Sequence, residues 1–253
     1  MGRMDGKVAI VTGGASGLGR ATATLLAREG AHVVVADVNE VAGTALAKEL
    51  GAGARFTSLD VRDEAAWRRV VEEALAELGR LDVLVNNAGV VVLATIEETT
   101  LEQWQRVQAV NSDGVFLGCK HAIPAMLRGG GGSIVNLSST AGMMGTPAFA
   151  AYAASKGAVR SLTKTVAVHC KQRGYPIRCN SIHPGGIDTP MTQGLPAAAA
   201  EAAPLAVEAL RNQPTTPLGQ PEDVAELALY LASDAAHHVN GAEIAIDAGL
   251  TAG

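Results

Sequence analysis

The chain has 253 residues, 48% of them hydrophobic, and a formal net charge of −5 with no basic block. This length and apolar content fit one large α/β domain with a sizeable core, and the charge excludes a nucleic-acid or anionic-membrane surface. Three Phe, three Tyr and two Trp leave no base-stacking platform.

The first residues, Met1 to Gly6, lack the apolar run of a signal peptide, and no stretch approaches the ~18 apolar residues of a membrane span, so a cytoplasmic protein is expected. Lys7–Val11 is an aliphatic strand that runs into Thr12-Gly13-Gly14-Ala15-Ser16-Gly17-Leu18-Gly19 and then a helical pattern to Gly30. Strand, glycine-rich turn and helix together make an anion cradle, because glycines let backbone approach a ligand and helix-start amides favour phosphate. The spacing is Gly-x-x-x-Gly-x-Gly rather than the usual Gly-x-Gly-x-x-Gly, so alone it remains a tight turn as readily as a binding loop. His32–Asp37 is a second strand. Asp37 closes it, 18 residues after Gly19, where a carboxylate can accept from adenosine ribose hydroxyls and repel a 2′-phosphate. Val38 and Asn39 follow with no cation, so NAD is expected over NADP.

A helix over 40–50 leads to a third strand over 55–61, ending at Asp60 and Val61. Asp60 is either an acceptor for the adenine amino group or a turn carboxylate. A helix over 63–78 stops at Gly79, and Val83–Val85 is a fourth strand closing in Asn86-Asn87-Ala88-Gly89, small and amide residues suited to the wall of a nucleotide site. One long helical stretch is expected over 101–127, with Asn111 in its middle; an Asn there bonds something specific or faces water. After the Gly129–Gly132 link, a fifth strand over 133–137 delivers Ser138 and Ser139, and a helix over 151–173 carries Tyr152 and Lys156. A sixth strand over 177–182 leads to His183-Pro184-Gly185-Gly186-Ile187-Asp188-Thr189; His183 reads as structural. The Ala- and Pro-rich stretch 191–217 is expected to be a loose helical lid, then a helix over 221–233 and a last strand over 244–247.

Seven aliphatic strands alternating with six helices specify a Rossmann-type doubly wound parallel sheet in a single domain, spanning 1–253. The glycine loop, Asp37, Asp60, Asn87, Ser139 and Pro184 all fall at strand carboxyl ends, where open α/β sheets bind ligands.

Tyr152 and Lys156 are four residues apart, one turn along a helix face. A phenol ordinarily titrates near about 10, and a neighbouring ammonium is expected to lower that value and make it a usable acid or base. Spacing alone is weak support for chemistry. The ordered set Thr12-Gly13-x-x-x-Gly17-x-Gly19, Asn86-Asn87-Ala88-Gly89, Asn111, Ser139, Tyr152-x-x-x-Lys156, Pro184-Gly185 and Thr189 resembles the short-chain dehydrogenase/reductase family over essentially the whole chain. That resemblance implies Tyr152 as the proton-transfer group, with Lys156 lowering its pKa and holding the nicotinamide ribose. It implies Ser139 on the substrate oxygen and Asn111 anchoring a water that continues a proton relay. Around the cofactor it implies Gly13, Ser16, Gly17, Leu18 and Gly19 at the pyrophosphate, Asp37 and Val38 at the ribose, and Asp60 and Val61 at the adenine. Asn87, Ala88 and Gly89 would lie on the ribose side, and Pro184, Gly185, Ile187 and Thr189 at the nicotinamide.

The stretch Gly174–Pro184, followed by Gly186-Ile187 and Thr189-Pro190-Met191, is similar to bacterial 3β/17β-hydroxysteroid and cyclic-alcohol dehydrogenases. The expected pocket residues, Val91, Leu93, Met143, Met144, Pro147, Phe149, Met191 and Leu195, are nearly all apolar and suit a hydrophobic secondary alcohol or ketone. The alternatives are a ketoacyl-thioester or sugar/polyol enzyme of the same family, and a regulator that binds NAD without catalysis. An enoyl-thioester reductase usually spaces its Tyr and Lys more widely. The family is often tetrameric, which implies a homotetramer, and no metal is expected.

Overall fold

The strands form because their apolar runs can be buried on both faces at once. In the computed structural model, which describes residues 2–195, 197–198, 204–213 and 216–252, seven strands make one parallel sheet. They are β1 (Val8–Thr12), β2 (His32–Asp37), β3 (Ala54–Ser58), β4 (Val83–Asn86), β5 (Gly132–Leu137), β6 (Ile177–Pro184) and β7 (Glu243–Ile246). The helices are α1 (Gly17–Arg28), α2 (Glu40–Leu50), α3 (Glu64–Leu78), α4 (Leu101–Gln108), α5 (Gly114–Arg128), α6 (Ala150–Gln172), α7 (Pro190–Gln193), α8 (Pro204–Arg211) and α9 (Pro221–Ala232). Successive strand residues point to opposite faces. Ile10, Val34, Leu84 and Ile134 therefore enter one core with α3, α5 and α6, while Val11, Val35, Val85 and Val135 enter the other with α1 and α9. Each such side chain contributes roughly 1.5–3 kcal/mol before chain entropy is counted.

The spatial order β3-β2-β1-β4-β5-β6-β7 is the expected Rossmann-type winding. The chain builds outward from β1 to β3, then returns to place β4 on the other side of β1. This reversal opens a crevice beyond the carboxyl ends of β1 and β4. Helix starts are fixed locally: Asn39 accepts from the Ala42 amide, Asp63 from the Ala65 amide, and Thr100 and Gln103 cap each other. Gly79, at φ +77°, ends α3 in the left-handed region that glycine enters without strain.

The structure departs from the sequence expectation in three places. The third strand ends at Ser58, so Asp60 and Val61 lie in the turn beyond it. The stretch expected as one helix over 101–127 is α4 and α5 joined by a π-helical turn, Ala109–Asp113. The segment after β6 contributes α7 and α8, helices beyond the six expected; its residues 196, 199–203, 214 and 215 lie outside the described residues. Among the described residues no helix is long and apolar enough to cross a membrane.

Candidate active site

The crevice beside β1 and β4 encloses about 570 Å³ and meets the reactive end of α6 at Tyr152 and Lys156. Of the residues expected at the cofactor, Gly13, Ser16, Gly17, Leu18, Asp37, Val38, Asp60, Val61, Asn87, Ala88, Gly89, Tyr152, Lys156 and Thr189 line it. Gly19, Pro184, Gly185 and Ile187 do not. A Cβ on Gly19 would lie 2.1 Å from the Gly13 carbonyl oxygen and 2.5 Å from the Asn87 amide nitrogen, so this glycine permits close packing behind the loop. Ile187 is buried in the core, and Gly185 faces a neighbouring cavity. Arg62, Val90, Arg106 and Val110 line the crevice without a sequence motif to announce them.

The loop is held by side chains from the strand ends. Asn87 donates to the Thr12 and Gly13 carbonyls at 2.9 and 3.1 Å, and the Thr12 hydroxyl accepts from the Asn87 and Ala88 amides at 3.0 and 3.1 Å. Asp37 accepts from the Ala15 amide at 3.0 Å and from the Asn39 amide at 2.9 Å, tying the loop to β2. Asp60 is paired with Arg62 through contacts of 2.6–3.1 Å, which hold its carboxyl below the usual range. It presents an ion pair, rather than a lone acceptor, to the crevice. Ser16 is the N-cap of α1 yet makes no side-chain cap, in contrast to Asn39, Asp63 and Thr100. The first amides of α1 are thus left for a ligand, and an anion such as a pyrophosphate fits there.

At the reactive end, β5 and α6 are joined by two buried hydrogen bonds. Ser138 donates to the Lys156 carbonyl at 2.9 Å, and the Lys156 ammonium donates to the Leu137 carbonyl at 2.8 Å. The Lys156 nitrogen lies 5.6 Å from the centre of the Tyr152 ring. Burial pushes the Lys156 ammonium down to about 8. Burial also raises the Tyr152 phenol, opposed by its hydrogen bond with Ser139. Against the expected lowering of Tyr152 by Lys156, desolvation sets the direction, and the cation's own charge is penalised by the same burial.

Asn111 stands beside this pair. Its side chain is fully buried and committed to protein: it accepts from the Val90 amide at 2.8 Å and donates to the Val90 carbonyl at 2.9 Å and the Ser155 hydroxyl at 3.0 Å. Ser155 in turn donates to the Tyr152 carbonyl at 2.7 Å. This side chain braces the chain after β4 against α6 from within the π turn. His183 is buried with both ring nitrogens engaged, one 3.1 Å from the Ser139 carbonyl and the other 2.8 Å from the Ser181 hydroxyl, the structural role expected of it.

A second cavity of about 290 Å³ opens on the other side of Ser139 and Tyr152. Of the expected substrate residues, Val91, Met144, Phe149, Met191 and Leu195 line it, while Leu93, Met143 and Pro147 do not. Leu93 is buried with Ala148 and Ala206 because α8 lies across it. The 3₁₀ turn Thr140–Gly142 places Met144, not Met143, on the wall. Pro147 is exposed. Leu210, Leu218 and Leu250 complete the wall from the C-terminal third of the chain; sequence reasoning missed them because no local pattern separates a wall leucine from a packing one.

A family model described as enoyl-(acyl carrier protein) reductase matches residues 13–251. A cyclopentanol dehydrogenase of Comamonas sp. (strain NCIMB 9872) is 45% identical over 255 residues, covering 100% of both chains. A 3-alpha-(or 20-beta)-hydroxysteroid dehydrogenase of Mycobacterium bovis is 42% identical over 252 residues, covering 100% of this chain and 92% of its own. An NADP-dependent (R)-specific alcohol dehydrogenase of Lentilactobacillus kefiri is 40% identical over 253 residues, covering 99% of this chain and 98% of its own.

Proposed function

The chain belongs to the short-chain dehydrogenase/reductase family, and we propose that it interconverts a hydrophobic secondary alcohol, of the cyclic-alcohol or hydroxysteroid type, with its ketone, using NAD. It is an oxidoreductase of the alcohol-dehydrogenase type. The observation that carries the substrate class is the cavity beyond Tyr152 and Ser139, whose walls among the described residues hold no charged side chain and more apolar side chains than polar ones. This lining opposes the sugar or polyol alternative.

A bound nicotinamide supplies the carbon that accepts or returns a hydride. The chain's own part is to orient and to move a proton. Ser139 holds the substrate oxygen, and Tyr152 takes the alcohol proton as a phenolate during oxidation or gives it as a phenol during reduction. Lys156, fixed to β5 through Leu137, places a cation at the junction of the crevice and the cavity. Gly13, Ser16, Gly17 and Leu18 hold the pyrophosphate. Asp37, with its carboxylate at the ribose end, favours NAD because a 2′-phosphate would meet a fixed negative charge. The Lentilactobacillus relative carries an NADP-dependent name, so the preference is tested directly: kcat/KM is measured with both cofactors, and a higher value with NADP overturns the role given to Asp37.

The reaction itself is tested with cyclopentanol, a hydroxysteroid, a polyol and an acetoacetyl thioester. Turnover confined to the first two is expected. Turnover confined to the thioester transfers the site to acyl-thioester reduction, the class in the family model's description. Cofactor binding with no turnover on any member supports the regulator. We also infer a cytoplasmic homotetramer. The half-exposed Phe116 of α5 and Val168 of α6 support self-association, and light scattering at the monomer mass overturns it.

A further inference from the structure

We infer that the substrate cavity carries a second polar pole, formed by Thr146 and Gln213, which holds an oxygen of the substrate other than the one that reacts. This rests on the reading of that cavity as the alcohol site and narrows the substrate to a neutral ring compound with two oxygen functions.

Polar atoms buried without a partner are uncommon in folded proteins, because each gives up its bonds to water for nothing in return. Among the described residues the side-chain atoms in this state belong to Arg55, Thr146 and Gln213. Arg55 lies on β3, with its guanidinium against Glu77. The other two, the Thr146 hydroxyl oxygen and the Gln213 amide nitrogen, come from separate segments, one in the loop before α6 and one just after α8. Both residues stand on the wall of the same cavity. That coincidence points to a ligand group that satisfies them together. Thr192, on the same wall, shows the contrasting case: its hydroxyl donates to the Ile187 carbonyl at 2.7 Å.

The chemistry of the two groups selects the ligand atom. An amide NH₂ donates, and a hydroxyl donates or accepts, so a hydroxyl or keto oxygen complements the pair. Among the described residues no charged side chain lines the cavity, which leaves a carboxylate or phosphate without a counter-charge there. The volume of about 290 Å³ is the space of about ten waters, enough for a one- or two-ring skeleton. Such a skeleton would place one oxygen at Tyr152 and Ser139 and a second at Thr146 and Gln213.

The test compares cyclohexanol with cyclohexane-1,3-diol and cyclohexane-1,4-diol in the wild type and in Thr146→Val, Gln213→Leu and the double variant. The wild type is expected to show the higher kcat/KM for one of the diols. The diol-to-cyclohexanol ratio is expected to fall about tenfold in the double variant, equivalent to about 1.4 kcal/mol, and by a smaller factor in each single variant. An unchanged ratio, or a wild type that prefers cyclohexanol, overturns the pole. Should the double variant fail to fold, the Gln213→Leu ratio decides by the same criterion. Thermal shifts of the NAD-loaded protein are measured with the same three compounds. If none is turned over, a diol-specific shift lost in Gln213→Leu supports the pole while the reaction reading falls, and equal shifts with all three overturn it.

Discussion

The cofactor crevice and the substrate cavity share Tyr152 as a wall, yet they are built from opposite materials. The crevice is made of strand ends and main chain. Asn87, Thr12 and Asp37 each spend hydrogen bonds on the glycine loop, so its form is set before any ligand arrives. The cavity is assembled from a 3₁₀ turn, the α7–α8 segment and Leu250 near the chain's end, elements joined by side-chain packing. A family can therefore keep one cofactor geometry while changing substrates: rigid strand ends hold the first, and loops free of the sheet's register hold the second.

The sharpest break between the two regions is Tyr152→Phe. Turnover is expected to fall on the order of 10³-fold or more while cofactor affinity, measured by fluorescence titration, changes little. Near-normal kcat would remove Tyr152 from the chemistry. Because burial raises the phenol, it is protonated at neutral pH and ready to give a proton. Alcohol oxidation is expected to quicken as pH rises into the alkaline range, and ketone reduction to be lost there. Opposite slopes in the two pH profiles check the sign.

Lys156→Met comes next. The folded pKa of Lys156, about 8, lies below that of an unfolded lysine. Between those values the unfolded chain binds the extra proton, so stability rises with pH across that window and the full cost is present below pH 8. The substitution is expected to raise ligand-free stability by up to about 3 kcal/mol at pH 7, less the lost bond to Leu137, and to abolish activity. The difference should shrink above pH 8 in denaturant titrations. A variant less stable than wild type at pH 7 would show that the lysine is not strained by burial.

Leu93 and Met191 separate packing from lining. Leu93→Ala is expected to cost about 2–3 kcal/mol in chemical denaturation, with a small change in KM. Met191→Ala is expected to shift KM several-fold with little loss of stability, because Met191 is exposed at the cavity mouth. The reverse pattern would exchange their roles. The smallest effect is expected at Asp37→Asn, where the NAD-to-NADP ratio of kcat/KM should fall about tenfold and the cavity's alcohol selectivity should not move. An unchanged cofactor ratio would remove Asp37 from the preference.

The crevice was the more legible region. Its glycines, Asp37 and Asn86-Asn87-Ala88-Gly89 sit at fixed offsets from strand ends, and those offsets follow from covalent geometry. Asp60 lies on the crevice wall, and Arg62, two residues away, makes it part of an ion pair. Asn111 was singled out as an oddity in a helix, but the π turn depends on its meeting Val90, 21 residues earlier in the chain. Leu93 and Met144 read alike in sequence; only α8, which covers one and leaves the other open, tells them apart.

Local pattern alone specified seven parallel strands, the glycine-rich turn after β1 and the one-turn spacing of Tyr152 and Lys156, because strand alternation, glycine conformation and helical periodicity act over a few residues. Tertiary packing decided the rest. It set the ionisation of Tyr152 and Lys156, since desolvation depends on everything around a group. It turned Asn111 into a brace. It gathered Thr146 and Gln213 onto one wall, since what an atom lacks is defined only by neighbours distant in the chain.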